Sequence, residues 1–255
     1  MNLSFKYYFA LSATALIVCD GNTQTITSRF SHLNYNAVYG GGGDAFTPSD
    51  SIEDTGLVAA DSEALAFADS KAGFILGDPN RPWNASVETD LSHSYAITGS
   101  LSNFSRIVSS GRSMVAAAAG GEGLALMNSG NPGNVLQFEF TLTSSTTARL
   151  RGAFNLNPDG QNLAGEVALQ RFDGIVWQYQ FTTLFLPGQE GAFDETFNLS
   201  AGMYRLTGGA SGNAFHGVRP IQDNDWNYDF QAVPEPATMA ALGLGIAALL
   251  RRRRA

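Results

Sequence analysis

Cysteine and lysine are almost missing from this chain of 255 residues. The one cysteine, Cys19, lies near the start, so the remainder can form no disulfide and offers no thiolate to a metal or a substrate. Lysine occurs only at Lys6 and Lys71, and charged residues make up 15% of the chain, against about a quarter in ordinary soluble domains. No apolar run reaches the roughly 18 residues of a comfortable membrane span. The histidines, His32, His93 and His216, lack the paired spacing of a zinc site. A nucleophile elbow is absent too, since Ser211 in Gly209-Ala210-Ser211-Gly212 has its second glycine one residue early. These gaps lead to the expectation of a protein that is not an enzyme and needs no cofactor. Carboxylate pairs drawn from separate strands would leave no local trace.

What is present is glycine, at 28 positions, with abundant serine and threonine and an apolar fraction of 44%. That mixture suits β-structure with many turns and can fill a core. The formal charge of −8 is unevenly spread. Of 15 basic residues, Lys6 and Arg251 to Arg254 are terminal; setting these five aside with Asp20 and Glu235 leaves 10 basic against 21 acidic, a net −11. A polyanionic body is repelled by nucleic acid and by anionic lipid, so no nucleic-acid partner is expected.

Four segments follow from the pattern: 1–21 as a signal segment, 22–82 as an irregular N-terminal region, 83–232 as a β-sandwich and 233–255 as a separate terminal segment. In the second, Gly40 to Gly43 interrupt the chain, and Ala59 to Lys71 reads as a short helix. In the third, Leu136, Phe138, Phe140 and Leu142 alternate with Gln137, Glu139 and Thr141, as a half-buried strand requires. Thr143 to Thr146 reads as a hairpin leading to Thr147–Phe154, which puts Glu139 on one outer face with Arg149 and Arg151. Further strands at 166–172, 175–186, 192–199, 203–207 and 226–232 are separated by turn residues. The expected fold is all-β, an antiparallel sandwich of jelly-roll type with a short C-terminal transmembrane helix.

Two places in the body carry possible chemistry. Asn155, Asn157 and Asp159, with Gly160 and then Glu166, have the spacing of a calcium loop. They bring only two carboxylates, and Asn157-Pro158-Asp159-Gly160 is equally what a β-turn asks for. Trp177, Tyr179 and Phe181 alternate along one strand face; such a stripe lines a core, or stacks on sugar rings with Trp226 as a further platform.

The termini are more specific. Lys6 precedes the apolar run Tyr7 to Val18, in the order of a secretory signal that passes through the Sec machinery, with small residues for cleavage at Ala13-Thr14-Ala15 or Cys19-Asp20-Gly21. At the other end, Val233-Pro234-Glu235-Pro236 ends the strand pattern. It is followed by an uncharged stretch, Ala237 to Leu250, whose apolar weight rests on Ala237, Leu242, Leu244, Ile246, Leu249 and Leu250. As a helix it would be about 21 Å long, short of the roughly 30 Å hydrocarbon core. Arg251, Arg252, Arg253 and Arg254 then hold that end in the cytoplasm. A Pro-Glu-Pro box, a short apolar helix and a terminal arginine cluster resemble the PEP-CTERM sorting signal, also labelled ice-binding protein C-terminal domain, a label that by itself says nothing of ice. The resemblance implies an exosortase as processing partner, transient residence in the inner membrane, cleavage near the box, and release to the cell surface or an extracellular polysaccharide matrix.

Overall fold

The computed structural model describes residues 24–76, 78–129, 133–156, 165–185, 190–217 and 221–233, and no helix occurs among them. The first strands are β1 (Gln24–Gly41), β2 (Asp44–Phe46), β3 (Ser49–Asp54), β4 (Ala60–Ile75), β5 (Asp78–Ser100), β6 (Asn103–Gly121) and β7 (Gly123–Asn128). Then come β8 (Asn134–Leu142), β9 (Thr146–Leu156), β10 (Gly165–Phe172), β11 (Trp177–Phe185), β12 (Glu190–Leu199), β13 (Gly202–Ala210), β14 (Asn213–Phe215) and β15 (Ile221–Val233). They form two antiparallel sheets. The larger runs β11-β10-β13-β8-β1-β7-β14, with β2 and β3 also paired to β1; the smaller runs β12-β9-β15-β6-β5-β4.

Within 22–82, expected to be irregular, the described residues are mostly β-structure, and the expected helix at 59–71 falls on the edge strand β4. Its outward positions are Ala60, Ser62, Ala64, Ala66, Ala68, Ser70 and Ala72, with Leu65 buried on the other face. Alanine and serine blur a period of two, and alanine favours a helix in isolation; pairing with β5 along nearly the whole strand overrides that preference. Gly42 and Gly43, at φ of 63° and 103°, make the two-residue turn of the β1–β2 hairpin, a conformation that excludes most side chains.

A second correction concerns β8 and β9. They do not pair: Leu142 lies opposite Gln24 and Gly202 in the larger sheet, whereas Thr146 lies opposite Leu199 in the smaller. Residues 143–145 cross from one sheet to the other, so Glu139 faces away from Arg149 and Arg151. Glu139 instead accepts from Arg205, at 2.7 Å.

Between the sheets lie two apolar cores. One gathers Ile26, Phe138, Phe140, Leu150, Phe154, Leu206, Trp226 and Phe230; the other holds Leu33, Tyr39, Val87, Leu91, Val115 and Met127. Each such fully buried side chain contributes about 1.5–3 kcal/mol by leaving water. A layer of buried polar side chains separates them: Arg29 and Ser31 on β1, His93 on β5, Ser109 and Ser113 on β6, Asn134 on β8 and Asn224 on β15.

Candidate functional site

Arg29 reaches this layer because of a bulge. Ile26 pairs with Phe140 and Ser28 with Glu139, which leaves Thr27 as an extra residue and reverses the side-chain alternation after it. Arg29, Ser31 and Leu33 consequently point inward. The buried guanidinium donates through Nε to the Gly56 carbonyl at 2.7 Å, through Nη1 to Glu63 Oε1 at 3.0 Å and through Nη2 to Asp54. Asp61 Oδ2 lies 3.7 Å from Nη1, and the Tyr95 ring centroid 5.1 Å from the guanidinium carbon. Asp54 also accepts from the Gly56 N–H at 2.7 Å, fixing the turn that carries the chain from β3 toward β4. Ser31 Oγ lies 2.7 Å and 2.8 Å from the two Glu63 carboxylate oxygens.

His93 closes the layer from β5. The Asn134 amide nitrogen donates to the carbonyls of Ser92 and Arg112, at 2.7 and 2.8 Å, so its oxygen is the atom that faces His93 Nδ1, at 2.9 Å. Nδ1 is therefore the protonated nitrogen of the ring. Nε2 is buried and makes no hydrogen bond, although Glu63 Oε2 stands 3.3 Å away; distance pairs the two groups, but the angles do not. Burial pushes the His93 pKa below its ordinary value, against the pull of the Asn134 bond and the Glu63 charge. One carboxylate oxygen from each of Asp54, Asp61 and Glu63 lies within 4.8 Å of the others.

The aromatic stripe of β11 is divided by a second bulge. Leu169 pairs with Phe181 but Gln170 pairs with Tyr179, which leaves Gln180 unpaired in the ladder. Phe181 turns into the core against Phe193 and Phe197, with centroids at 5.4 and 5.7 Å. Tyr179 is 58% exposed. Trp177, half-buried, lies beneath the Arg205 guanidinium at 4.1 Å and beside Phe172. One register row crosses five strands here: Tyr179, Gln170, Arg205, Glu139 and Ser28. Ser28 Oγ donates to Glu139 at 3.1 Å, and the charge of Glu166 heads the causes that raise the Tyr179 pKa.

Of the residues singled out in the sequence, Trp177 and Tyr179 come together on an outer face and Trp226 does not join them. Trp226 is 1% exposed, stacked on Tyr228 inside the sandwich, and presents no ring to a ligand. Asn155 is exposed on β9 of the smaller sheet, and Glu166 lies on β10 of the larger, where Thr182 bonds it at 3.3 Å. Asn157 and Asp159 lie outside the described residues. Val233 ends β15; Pro234, Glu235, Pro236, the apolar segment 237–250, Arg251 to Arg254 and the N-terminal segment 1–21 also lie outside them. Asp223 and Asp229 sit in the β15 ladder. Asp223 accepts from Arg112, and Asp229 from both Arg106 and Arg151.

Residues 232–254 match the PEP-CTERM protein-sorting motif. The chain carries a PEP-CTERM sorting signal. The match begins at Ala232, so its first two residues are the last two of β15. A PEP-CTERM motif implies export, a membrane-anchored precursor, an exosortase as processing partner and sorting to the surface. No curated protein matches the chain. Among solved structures, it is similar at 9% identity to the enzymatically active domain of bacteriophage CBA120 tailspike protein 4. That likeness covers 59% of this chain and 19% of the other, at a TM-score of 0.25, too low to carry any argument.

Proposed function

We propose that this PEP-CTERM protein is a non-enzymatic component of the cell surface or of an extracellular polysaccharide matrix. The motif match that starts within the final strand carries this reading. A signal segment over residues 1–21 starts export. The apolar stretch 237–250 forms a short helix that parks the precursor in the inner membrane, with Arg251 to Arg254 on the cytoplasmic side. Cleavage near Pro234-Glu235-Pro236 frees the body. Asp223 and Asp229 of β15 are engaged with Arg112, Arg106 and Arg151, which supports display rather than catalysis. The test is to express the full chain, tagged near its start downstream of the signal, in a host with and without its exosortase. Loss of about two kilodaltons of tail only when the enzyme is present is the expected result, at roughly 110 Da per residue. Full-length protein confined to the cytosol would sink the reading.

A second reading, binding of an exopolysaccharide, is favoured by the exposed Tyr179 beside Trp177 at the end of a polar row. Aromatic faces stack on sugar C–H groups while Gln170 and neighbouring polar groups meet hydroxyls. The charge of the body points to a neutral glycan rather than an acidic one.

A further inference from the structure

Val233, from which the chain runs on into the sorting motif, and Gln24, where β1 begins, mark one end of the sandwich. Gln24 lies opposite Leu142, Val233 lies opposite Thr147, and the crossing 143–145 joins the strands of those two partners. Phe140 and Phe230, with centroids 5.2 Å apart, set the two sheets level just inside this end. The turn between β10 and β11 projects here too, since Arg171 lies opposite Tyr204 and Tyr204 opposite Phe140.

That turn is an apolar tip, with Ile175 87% and Val176 49% exposed. Their backbone N–H groups both donate to Asp173 Oδ1 at 2.9 Å, and the Asp173 N–H donates to the Val176 carbonyl at 3.1 Å. Gln178 donates to the other carboxylate oxygen, also at 3.1 Å. These three N–H groups and the carboxylate are thus bonded within the turn, so two aliphatic side chains can leave water without stranding them. Phe172 and Trp177, with centroids 5.2 Å apart, back the tip, and Met203 is exposed on β13. Charge is graded along the body in the same sense. Gln231, two residues before Val233, lies between Arg106 and Arg149, and Asp229 lies beside Arg151; these three arginines share Asp229 and Asp194. Toward the other end of β15 the ratio reverses, because Arg112 alone serves Asp223 and Asp90 and has Asp225 opposite it. Asp223 precedes Val233 by ten residues, about 33 Å of strand and several Debye lengths at physiological salt.

We propose that the end of the sandwich around Val233 rests on the lipid surface in which the precursor is anchored, with Ile175 and Val176 entering the headgroup boundary and Arg106, Arg149 and Arg151 turned to anionic headgroups. The proposal depends on the reading above, in which the apolar stretch 237–250 is the anchor. Ala237 is four residues beyond Val233, a reach of at most about 14 Å, so the anchor holds this end of the body against the membrane. A tether of that length keeps the local concentration high, and a contact too weak to recruit a free protein is then occupied. The net negative charge of the body opposes anionic lipid only where it lies close; here it lies far from the surface and turns the acidic end outward. Leu76, 92% exposed in the turn between β4 and β5, is an equally bare aliphatic tip at the opposite end, where Gly73 lies opposite Trp83 and Trp83 opposite Gly121.

The test compares those two tips in the full-length chain, reconstituted through its own tail into vesicles of phosphatidylethanolamine and phosphatidylglycerol. With Cys19→Ser as background, Ile175→Cys and Leu76→Cys each carry one environment-sensitive fluorophore; both positions are exposed, so neither label disturbs the core. The label at 175 should emit further to the blue and be quenched by brominated lipid at least about twice as strongly as the label at 76. Equal quenching at the two positions, in chains that float with the vesicles, would overturn the proposal and leave the anchor intact. A chain that does not float lacks the anchor, which overturns the proposal together with the reading beneath it. Shielding at 175 that resists brominated lipid and grows with the protein-to-lipid ratio would assign the tip to a second copy, and would overturn the proposal as well.

Discussion

Gly208 of β13 lies face to face with the indole of Trp226 across the sandwich: a Cβ added to Gly208 would fall 2.6 Å from Trp226 Cζ3 and 2.5 Å from a Tyr228 ring carbon. The backbone approaches the stacked pair so closely that no side chain fits. Gly208→Ala is therefore expected to destabilise the protein by about 1–3 kcal/mol through overpacking, and Trp226→Ala by about 3–5 kcal/mol through a cavity. Urea unfolding of the two variants checks this, and an unchanged midpoint for Gly208→Ala would contradict the packing.

Arg29 should be intolerant of change. Removing the guanidinium leaves Glu63 poorly solvated without its partner, so Arg29→Ala is expected to cost about 3–5 kcal/mol. Arg29→Lys should recover little of it, since an ammonium cannot serve the Gly56 carbonyl, Glu63 and Asp54 in one plane. Chemical denaturation comparing these with Arg29→Met measures the fork against the charge.

Stability should fall at both pH extremes through one hydrogen bond on the β1–β4 side. Tyr39 Oη donates to Asp69. Burial first, and then that bond, push the Tyr39 pKa to about 12, while the bond and Lys71 hold Asp69 at about 2. The Tyr39 contribution is complete below the ordinary tyrosine pKa near 10 and is lost as pH rises from there through about 12. The Asp69 contribution is complete above the ordinary value near 3.8 and is lost as pH falls through about 2. Thermal unfolding across pH should show Tyr39→Phe flattening both limbs; a profile identical to that of the unsubstituted chain would refute the linkage.

The Gln180 bulge separates two neighbouring aromatics by role. Tyr179→Ala should change stability by no more than about 0.5 kcal/mol, while Phe181→Ala should cost roughly 1–2 kcal/mol. If the outer row binds a neutral polysaccharide, Tyr179→Ala should also lose retention in a pull-down that the unsubstituted chain passes. Equal destabilisation by both substitutions would mean that the two rings share a face after all.

The strand β8 could be read directly, because Leu136, Phe138, Phe140 and Leu142 differ sharply from the residues between them. The strand β4 could not: its outward face is alanine and serine, whose hydropathy barely contrasts with a half-buried partner face. The bulges at Thr27 and Gln180 were also invisible. Each adds one residue to a ladder and exchanges the faces of everything beyond it, which sent Arg29 inward and split Trp177 and Tyr179 from Phe181. Cross-strand register, not local composition, brings Arg29, Glu63, His93 and Asn134 together from four strands. The one local hint was charge at inward positions of β4, at Asp61, Glu63 and Asp69, where an apolar alternation would be expected. The terminal motif was legible because its parts are contiguous and ordered along the chain.

The strand from which the sorting segment departs is an interior one, β15, hydrogen-bonded to β6 on one side and β9 on the other. A pull along the strand axis at Val233 loads both ladders in shear at once, so many bonds must fail together before the strand leaves the sheet. A precursor tethered by its tail thus hangs from a strand held on both sides rather than from a sheet edge.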